Sequence, residues 1–180
     1  AEDYKSAALS ADIKLDGELK DLTLRLSLSD SSGTLLYTEN RNAEKSQNFT
    51  SAKISGIKLW SHESPYLYNV EIELSKEGKI IDKRSFKHGF RKIEIVKNAA
   101  QPYIALNGKE IKICGVNRHD FHPDYAHAVP KEIIESDLML LKANNITSVR
   151  TCHYPNTRYF YEKCDELGIL VMSENNLETH

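Results

Sequence analysis

The feature that most constrains this chain is a change of hydrophobic period part-way along it. Leu22, Leu24, Leu26 and Leu28 alternate with Thr23, Arg25, Ser27 and Ser29, which gives an extended strand one apolar face. Asp30-Ser31-Ser32-Gly33 is turn chemistry, and Thr34–Tyr37 resumes a strand to complete a hairpin. The stretch from Tyr66 to Leu74 alternates again through Leu67, Val70, Ile72 and Leu74. Lys76-Glu77-Gly78 turns it into Ile80 and Ile81, and a last strand is expected near Arg91–Val96. Short strands separated by turns, with no helical stretch between them, predict an antiparallel β-sandwich over residues 1–97.

Residues 98–180 follow a different rhythm. Asn107-Gly108 is a tight turn, and Glu110–Val116 (EIKICGV) reads as one buried strand. After Pro130, the residues Ile134, Leu138 and Leu141 share one face of a helix. Ser148–Cys152 reads as a second strand. Asn156 is the expected N-cap of a helix carrying Phe160, Cys164 and Leu167, with Gly168 closing it before a third strand, Ile169–Met172. Strand, helix, strand, helix, strand is the repeat of a parallel α/β sheet.

Polar residues gather where each of those strands ends. Asn117, Arg118, His119, Asp120 and His122 follow the first, His153, Tyr154, Pro155 and Asn156 the second, and Glu174, Asn175, Asn176, Glu178 and His180 the third. In α/β barrels that rim carries the active site, since neighbouring parallel strands bring their C-terminal loops together. The pattern points to a barrel-type enzyme rim without specifying a reaction.

Bulk properties narrow the remaining choices. The chain has 180 residues, 40% of them hydrophobic and 28% charged, as in an ordinary soluble protein. A net charge of -2 gives no electrostatic reason to expect nucleic acid or an anionic membrane as partner. No apolar run approaches the roughly 20 residues that span a bilayer, and the N-terminal AEDYKSAALS lacks the form of a secretory leader. Cys114, Cys152 and Cys164 form no CxxC, so free thiols and a cytoplasmic location are expected.

Several interlocking segments resemble glycoside hydrolase family 2, of the β-galactosidase kind. Gly115-Val116-Asn117-Arg118-His119-Asp120 resembles that family's first barrel strand. Val149 through Pro155, continuing through Phe160-Tyr161, Asp165 and Gly168, is similar to its signature. Asn176-Leu177-Glu178-Thr179-His180 is similar to the segment that separates β-galactosidases from the family's β-glucuronidases. Leu59-Trp60-Ser61, Ser64–Tyr68 and Gly89-Phe90-Arg91 look like the immunoglobulin-like sandwich preceding the barrel. Two departures are Thr147, where the signature usually has Asn, and Ser173, where it usually has Asp.

The resemblance implies an immunoglobulin-like β-sandwich followed by a truncated (β/α)8 TIM barrel of three strands and two helices. It also implies a retaining hydrolase of terminal β-D-galactosides such as lactose. Its two catalytic glutamates would lie on later strands, so the chain alone is expected to be inactive. Arg150 would support the nucleophile, while His119 and His153 would contact the sugar. Glu178 and His180 would be ligands of Mg²⁺, completed by the absent acid/base glutamate. A homo-oligomer is expected. Two alternatives remain: a β-glucuronidase or β-mannosidase of the same family, and a non-catalytic carbohydrate-binding sandwich needing an exposed aromatic platform, for which Trp60 is the candidate.

Overall fold

The computed structural model describes residues 4–97 and 101–177. The chain divides into two units, one formed by residues 1–59 and 66–90, the other by residues 60–65 and 91–180.

The first unit is all β. Its strands are β1 (Ser6–Ala7), β2 (Ser10–Lys14), β3 (Leu22–Ser29), β4 (Leu35–Asn42), β5 (Ser46–Thr50), β6 (Ile54–Ser55), β7 (Tyr68–Lys76) and β8 (Lys79–His88). They form an antiparallel sheet of order β4-β3-β7-β8 and two antiparallel pairs, β2-β5 and β1-β6. Leu24, Leu26 and Leu28 are wholly buried, and they share one core with Val70 of β7, Phe49 of β5 and Ile13 of β2. Both layers thus contribute to a single apolar interior, as the period-2 alternation requires. Asp30 Oδ1 accepts from the N–H groups of Ser32 and Thr34 at 2.9 and 2.8 Å, which fixes the β3-β4 turn. The β7-β8 turn places Glu77 and Gly78 at φ 50° and 80°, a left-handed pair suited to a two-residue hairpin. The pair β2-β5 had no sequence signal of its own, since only Ile13, Gln47 and Phe49 of its ten residues are buried.

The solvent face of the larger sheet carries one buried charge. Arg25, Glu73 and Lys83 stand directly opposite one another on β3, β7 and β8, and Glu73 pairs with both cations. Burial pushes the Glu73 carboxyl up, but the hydrogen bond from Lys83 and the charge of Arg25 outweigh it and hold it below the ordinary carboxylate range. A lowered folded-state pKa contributes stability above the unfolded value of about 4.3, and that contribution fades as pH falls through the folded value. Arg25 and Lys83 are nearly half exposed, so solvent screens the row and Glu73→Gln is expected to cost about 1 kcal/mol at pH 7. Hydrogen exchange of the Leu24 and Leu26 amides measures this. The gap between variant and wild type should narrow as the pH is lowered below 4.

The second unit holds β9 (Ile93–Val96), β10 (Tyr103–Leu106), β11 (Lys109–Glu110), β12 (Gly115–Arg118), helix α1 (Lys131–Ala143), β13 (Ser148–Thr151), helix α2 (Arg158–Leu167) and β14 (Leu170–Met172). An antiparallel sheet of order β11-β10-β9 precedes a parallel one of order β12-β13-β14. Ile134 and Leu138 of α1 pack with Phe160 and Cys164 of α2, Val149 of β13 and Ile169. Each helix therefore buries its i, i+4 stripe beside the sheet. Lys163 of α2 reaches Glu135 of α1 at 3.1 Å. No helix among the described residues is long and apolar enough to cross a membrane.

Two expectations are corrected. Glu110–Val116 is not one strand: Lys109–Glu110 pairs back on β10 after the Asn107-Gly108 turn, while the parallel strand begins only at Gly115. The antiparallel and parallel partners lie in different sheets, so the chain must leave one before it joins the other. Gly115 is needed at that entry, because a Cβ there would lie 2.0 Å from Ser148 Oγ and 2.8 Å from Ser148 O. The N-cap of α2 is Thr157 rather than Asn156. Thr157 Oγ1 accepts from Phe160 N–H at 3.3 Å, and Asn156 Oδ1 accepts instead from Thr157 N–H at 2.7 Å. Gly168 closes the helix at φ 71°, ψ 45°, with no room for a Cβ against His62 O at 2.6 Å.

Trp60 lies in the second unit and is buried to 1% exposure. Its indole N–H donates to Asp165 O at 2.7 Å, and the Arg91 guanidinium lies 4.6 Å over its ring. It offers no exposed platform for a sugar.

Candidate active-site rim

The three parallel strands fix the site by register. Asn117, Arg150 and Met172 are aligned across β12, β13 and β14, so their side chains share one face. The next residue on each strand faces the other way. Arg118 accordingly leaves the rim: it pairs with Asp120 at 2.8 Å and with Asp137 of α1 at 2.9 Å, with a side chain 9% exposed. This arginine ties α1 to its strand.

Arg150 is the hub of the shared face. Its Nη1 donates to Asn117 Oδ1 at 3.3 Å, its Nη2 lies 2.6 Å from Glu174 Oε2, and the same nitrogen is 3.3 Å from His153 Nδ1. Glu174 Oε2 is also 3.5 Å from His153 Nδ1, and Glu174 N–H donates to Thr151 Oγ1 at 3.1 Å. Within this chain the carboxylate partner of Arg150 is thus Glu174, a pairing the sequence reading did not make. It follows from the register: Met172 is aligned with Arg150, and Glu174, two residues on, returns to the same face if the chain stays extended.

The two histidines do meet. His119 and His153 stack edge to face with centroids 5.3 Å apart, both side chains exposed. The Cys152–His153 peptide is cis. Behind them Tyr154 Oη lies 3.2 Å from His127 Nδ1 and donates to Asp120 O at 3.4 Å, while His127 Nδ1 is 2.7 Å from Asp120 O. Tyr161 Oη accepts from Asn156 N–H and bonds Ser173 Oγ at 2.9 Å, tying the β13 and β14 loops together. The proposed metal ligands Glu178 and His180 lie outside the described residues.

Beside the rim lies a cavity of about 640 Å³, lined by Ile93, Ile104, Ile111, Ile113 and Met172 among others. Its wall is mainly aliphatic and its mouth carries Asn117 and Arg150. The rim can therefore bind hydroxyl groups through imidazole and guanidinium donors, with an apolar wall beside them. The three cysteines are free, and burial pushes the Cys164 thiol up to about 12.

Comparison with known proteins agrees with this arrangement. Residues 1–91 match the model of glycosyl hydrolases family 2, and residues 96–180 match that of the glycosyl hydrolases family 2 TIM barrel domain. The chain is 37% identical to the β-galactosidase large subunit of Lactobacillus acidophilus over 180 residues, covering 99% of this chain and 28% of that protein. It is 47% identical to a β-galactosidase of Psychromonas ingrahamii over 122 residues, covering 67% of this chain and 11% of that protein. Among solved structures, a putative β-galactosidase from Bacteroides fragilis superposes with a TM-score of 0.85 at 30% identity, covering 96% of this chain and 26% of that one. Apo β-glucuronidase 3 of Bacteroides uniformis superposes with a TM-score of 0.86 at 24% identity, covering 97% of this chain and 21% of that one, a likeness of fold. The chain thus spans less than a third of the length of these relatives.

Proposed function

The chain belongs to glycosyl hydrolases family 2, and on that premise we propose that it forms part of a retaining β-galactosidase acting on terminal β-D-galactosides. The observation that carries this reading is the Asn117–Arg150–Glu174 network with His119 and His153 beside it, at the C-terminal ends of three parallel strands. The relatives named β-galactosidase, at 37% and 47% identity, favour the galactoside over other sugars.

In this reading the imidazoles of His119 and His153 hydrogen-bond the sugar hydroxyls, and those bonds strengthen as positive charge develops on the ring in the transition state. Arg150 is a positioning residue. Its guanidinium, steadied by Asn117 and Glu174, offers a fixed positive charge to a nucleophilic carboxylate supplied from a later strand. Both catalytic carboxyl groups belong, by the family resemblance, beyond residue 180.

A magnesium ion belongs to the same proposal. The Glu178 carboxylate suits so hard an ion, while the His180 imidazole is an uncommon ligand for it, so the donor set fits through its carboxylate. Bound by these residues, Mg²⁺ would supply a fixed positive charge. Glu178 and His180, two residues apart, project to the same side wherever the backbone is extended.

The test is kinetic. In a polypeptide extended through the whole barrel, His153→Ala should lower kcat/KM for nitrophenyl β-galactoside about tenfold or more, with kcat falling as well as KM rising. Native kinetics in that variant would remove the sugar-contact role. Turnover of a β-glucuronide or β-mannoside in preference to the galactoside would favour those specificities instead. The carbohydrate-binding-module reading loses its support from Trp60, which is buried.

A further inference from the structure

The sugar-facing histidines have a third neighbour that hydrolysis does not use. His119, Cys152 and His153 each place one ligand atom within 4.8 Å of the other two, with Cys152 buried and both histidines exposed. We infer that these three side chains bind a thiophilic divalent cation such as Zn²⁺.

Three features of the site suit that ion. One thiolate and two imidazoles form a donor set that selects zinc and its neighbours over magnesium or calcium. Zinc lies about 2.3 Å from sulfur and about 2.0–2.1 Å from nitrogen, so a tetrahedral site needs its donor atoms about 3.3–3.7 Å apart. Closing from within 4.8 Å takes roughly an ångström of motion, and the two exposed imidazoles can supply it by rotating while buried Cys152 stays put. The third feature is Glu174. Its Oε2 is buried with no hydrogen bond of good geometry despite its ion pair with Arg150, and it lies 3.5 Å from His153 Nδ1. Arg150 Nη2, which can only donate, lies 3.3 Å from the same Nδ1, so once the ring turns away from it the carboxylate can take the Nδ1–H and leave Nε2 as the binding nitrogen. The thiol releases its proton to solvent as sulfur binds, and the fourth position stays open to water.

A cation held there would occupy the imidazoles assigned above to the sugar. That consequence rests on the proposed function, whereas the binding itself does not.

The experiment titrates Co²⁺ alone into the 180-residue chain and follows thiolate-to-cobalt absorption in the near ultraviolet. One Co²⁺ per chain should bind, be displaced by Zn²⁺, and remain in place in excess Mg²⁺. Cys152→Ser should abolish the band, and His119→Gln and His153→Gln should each weaken binding at least tenfold. Cys114→Ser, at an exposed thiol elsewhere, should leave it unchanged. Because His119 is exposed, His119→Gln carries the test even where Cys152→Ser disturbs folding. Absence of a saturable band in the wild type, a band that survives Cys152→Ser, or one that follows Cys114 would overturn the inference. Zn²⁺ that binds by this criterion yet leaves galactoside hydrolysis by the extended enzyme unchanged would overturn the sugar-contact role and leave the metal site standing.

Discussion

The 180-residue chain is expected to hydrolyse nitrophenyl β-galactoside no faster than the uncatalysed background, while a polypeptide extended through the remaining barrel strands turns it over. Retention requires two carboxyl groups about 5–5.5 Å apart, one to attack the anomeric carbon and one to shuttle the proton. Two carboxylates that follow the parallel strands, Asp120 and Glu174, are both engaged by arginines. Glu174 is ion-paired with Arg150, and Asp120 is buried against Arg118. Each already has a guanidinium of this chain as its partner, so neither stands free for the second of the two roles. Binding groups without a nucleophile can still hold a sugar, so weak galactoside binding without turnover is compatible with the reading. The check is a hydrolysis assay on chain freed of host glycosidase. Turnover that persists through purification and disappears in Glu174→Gln would mean that Glu174 itself serves as a catalytic carboxylate.

The sequence made parts of this structure legible where one physical term dominated. The leucines of β3 and the apolar residues of β7 alternate because one face is dry, and all three leucines from Leu24 to Leu28 are fully buried. The α1 stripe was legible for the same reason, through Ile134 and Leu138. The weakest signals belonged to elements whose order comes from partners. The strands β2 and β5 are short and polar, and they exist because ladder hydrogen bonds and two inward residues, Ile13 and Phe49, join them to a core built elsewhere. In Glu110–Val116 the apolar run concealed a change of sheet, since hydrophobicity reports burial and not which strand supplies the hydrogen bonds. At the rim, His119 and His153 stood out by residue type. The partnership of Arg150 with Glu174 depended on register across β13 and β14, which no local pattern encodes. Trp60 belongs to the second unit through an indole hydrogen bond to Asp165, 105 residues away.

The chain is also expected to self-associate through the second unit. Its parallel sheet has three strands, and β12 and β14 each pair only with β13 among the described residues, leaving both edges without ladder partners. An unpaired edge is a template for another strand, and parallel sheets are ordinarily covered on both faces. Here the cavity wall is open: Ile93, Ile113 and Met172 are 55%, 48% and 57% exposed. Burying apolar area contributes about 25 cal/mol per Å², and a stable contact buries about 1,200–2,000 Å² in total. A second copy of the same chain presents the same edge and the same apolar wall, so a symmetric pairing satisfies both at once. Light scattering at rising concentration should show dimers or larger species. Met172→Glu, which places a carboxylate beside Arg150 in the register row, should raise the dissociation constant at least tenfold without loss of secondary structure, and so should Ile113→Lys. Amide protection at Leu170–Met172 should increase with concentration in the wild type and not in the variants. A compact monomer at high concentration, with those amides already protected, would show that the open edge is satisfied within one chain.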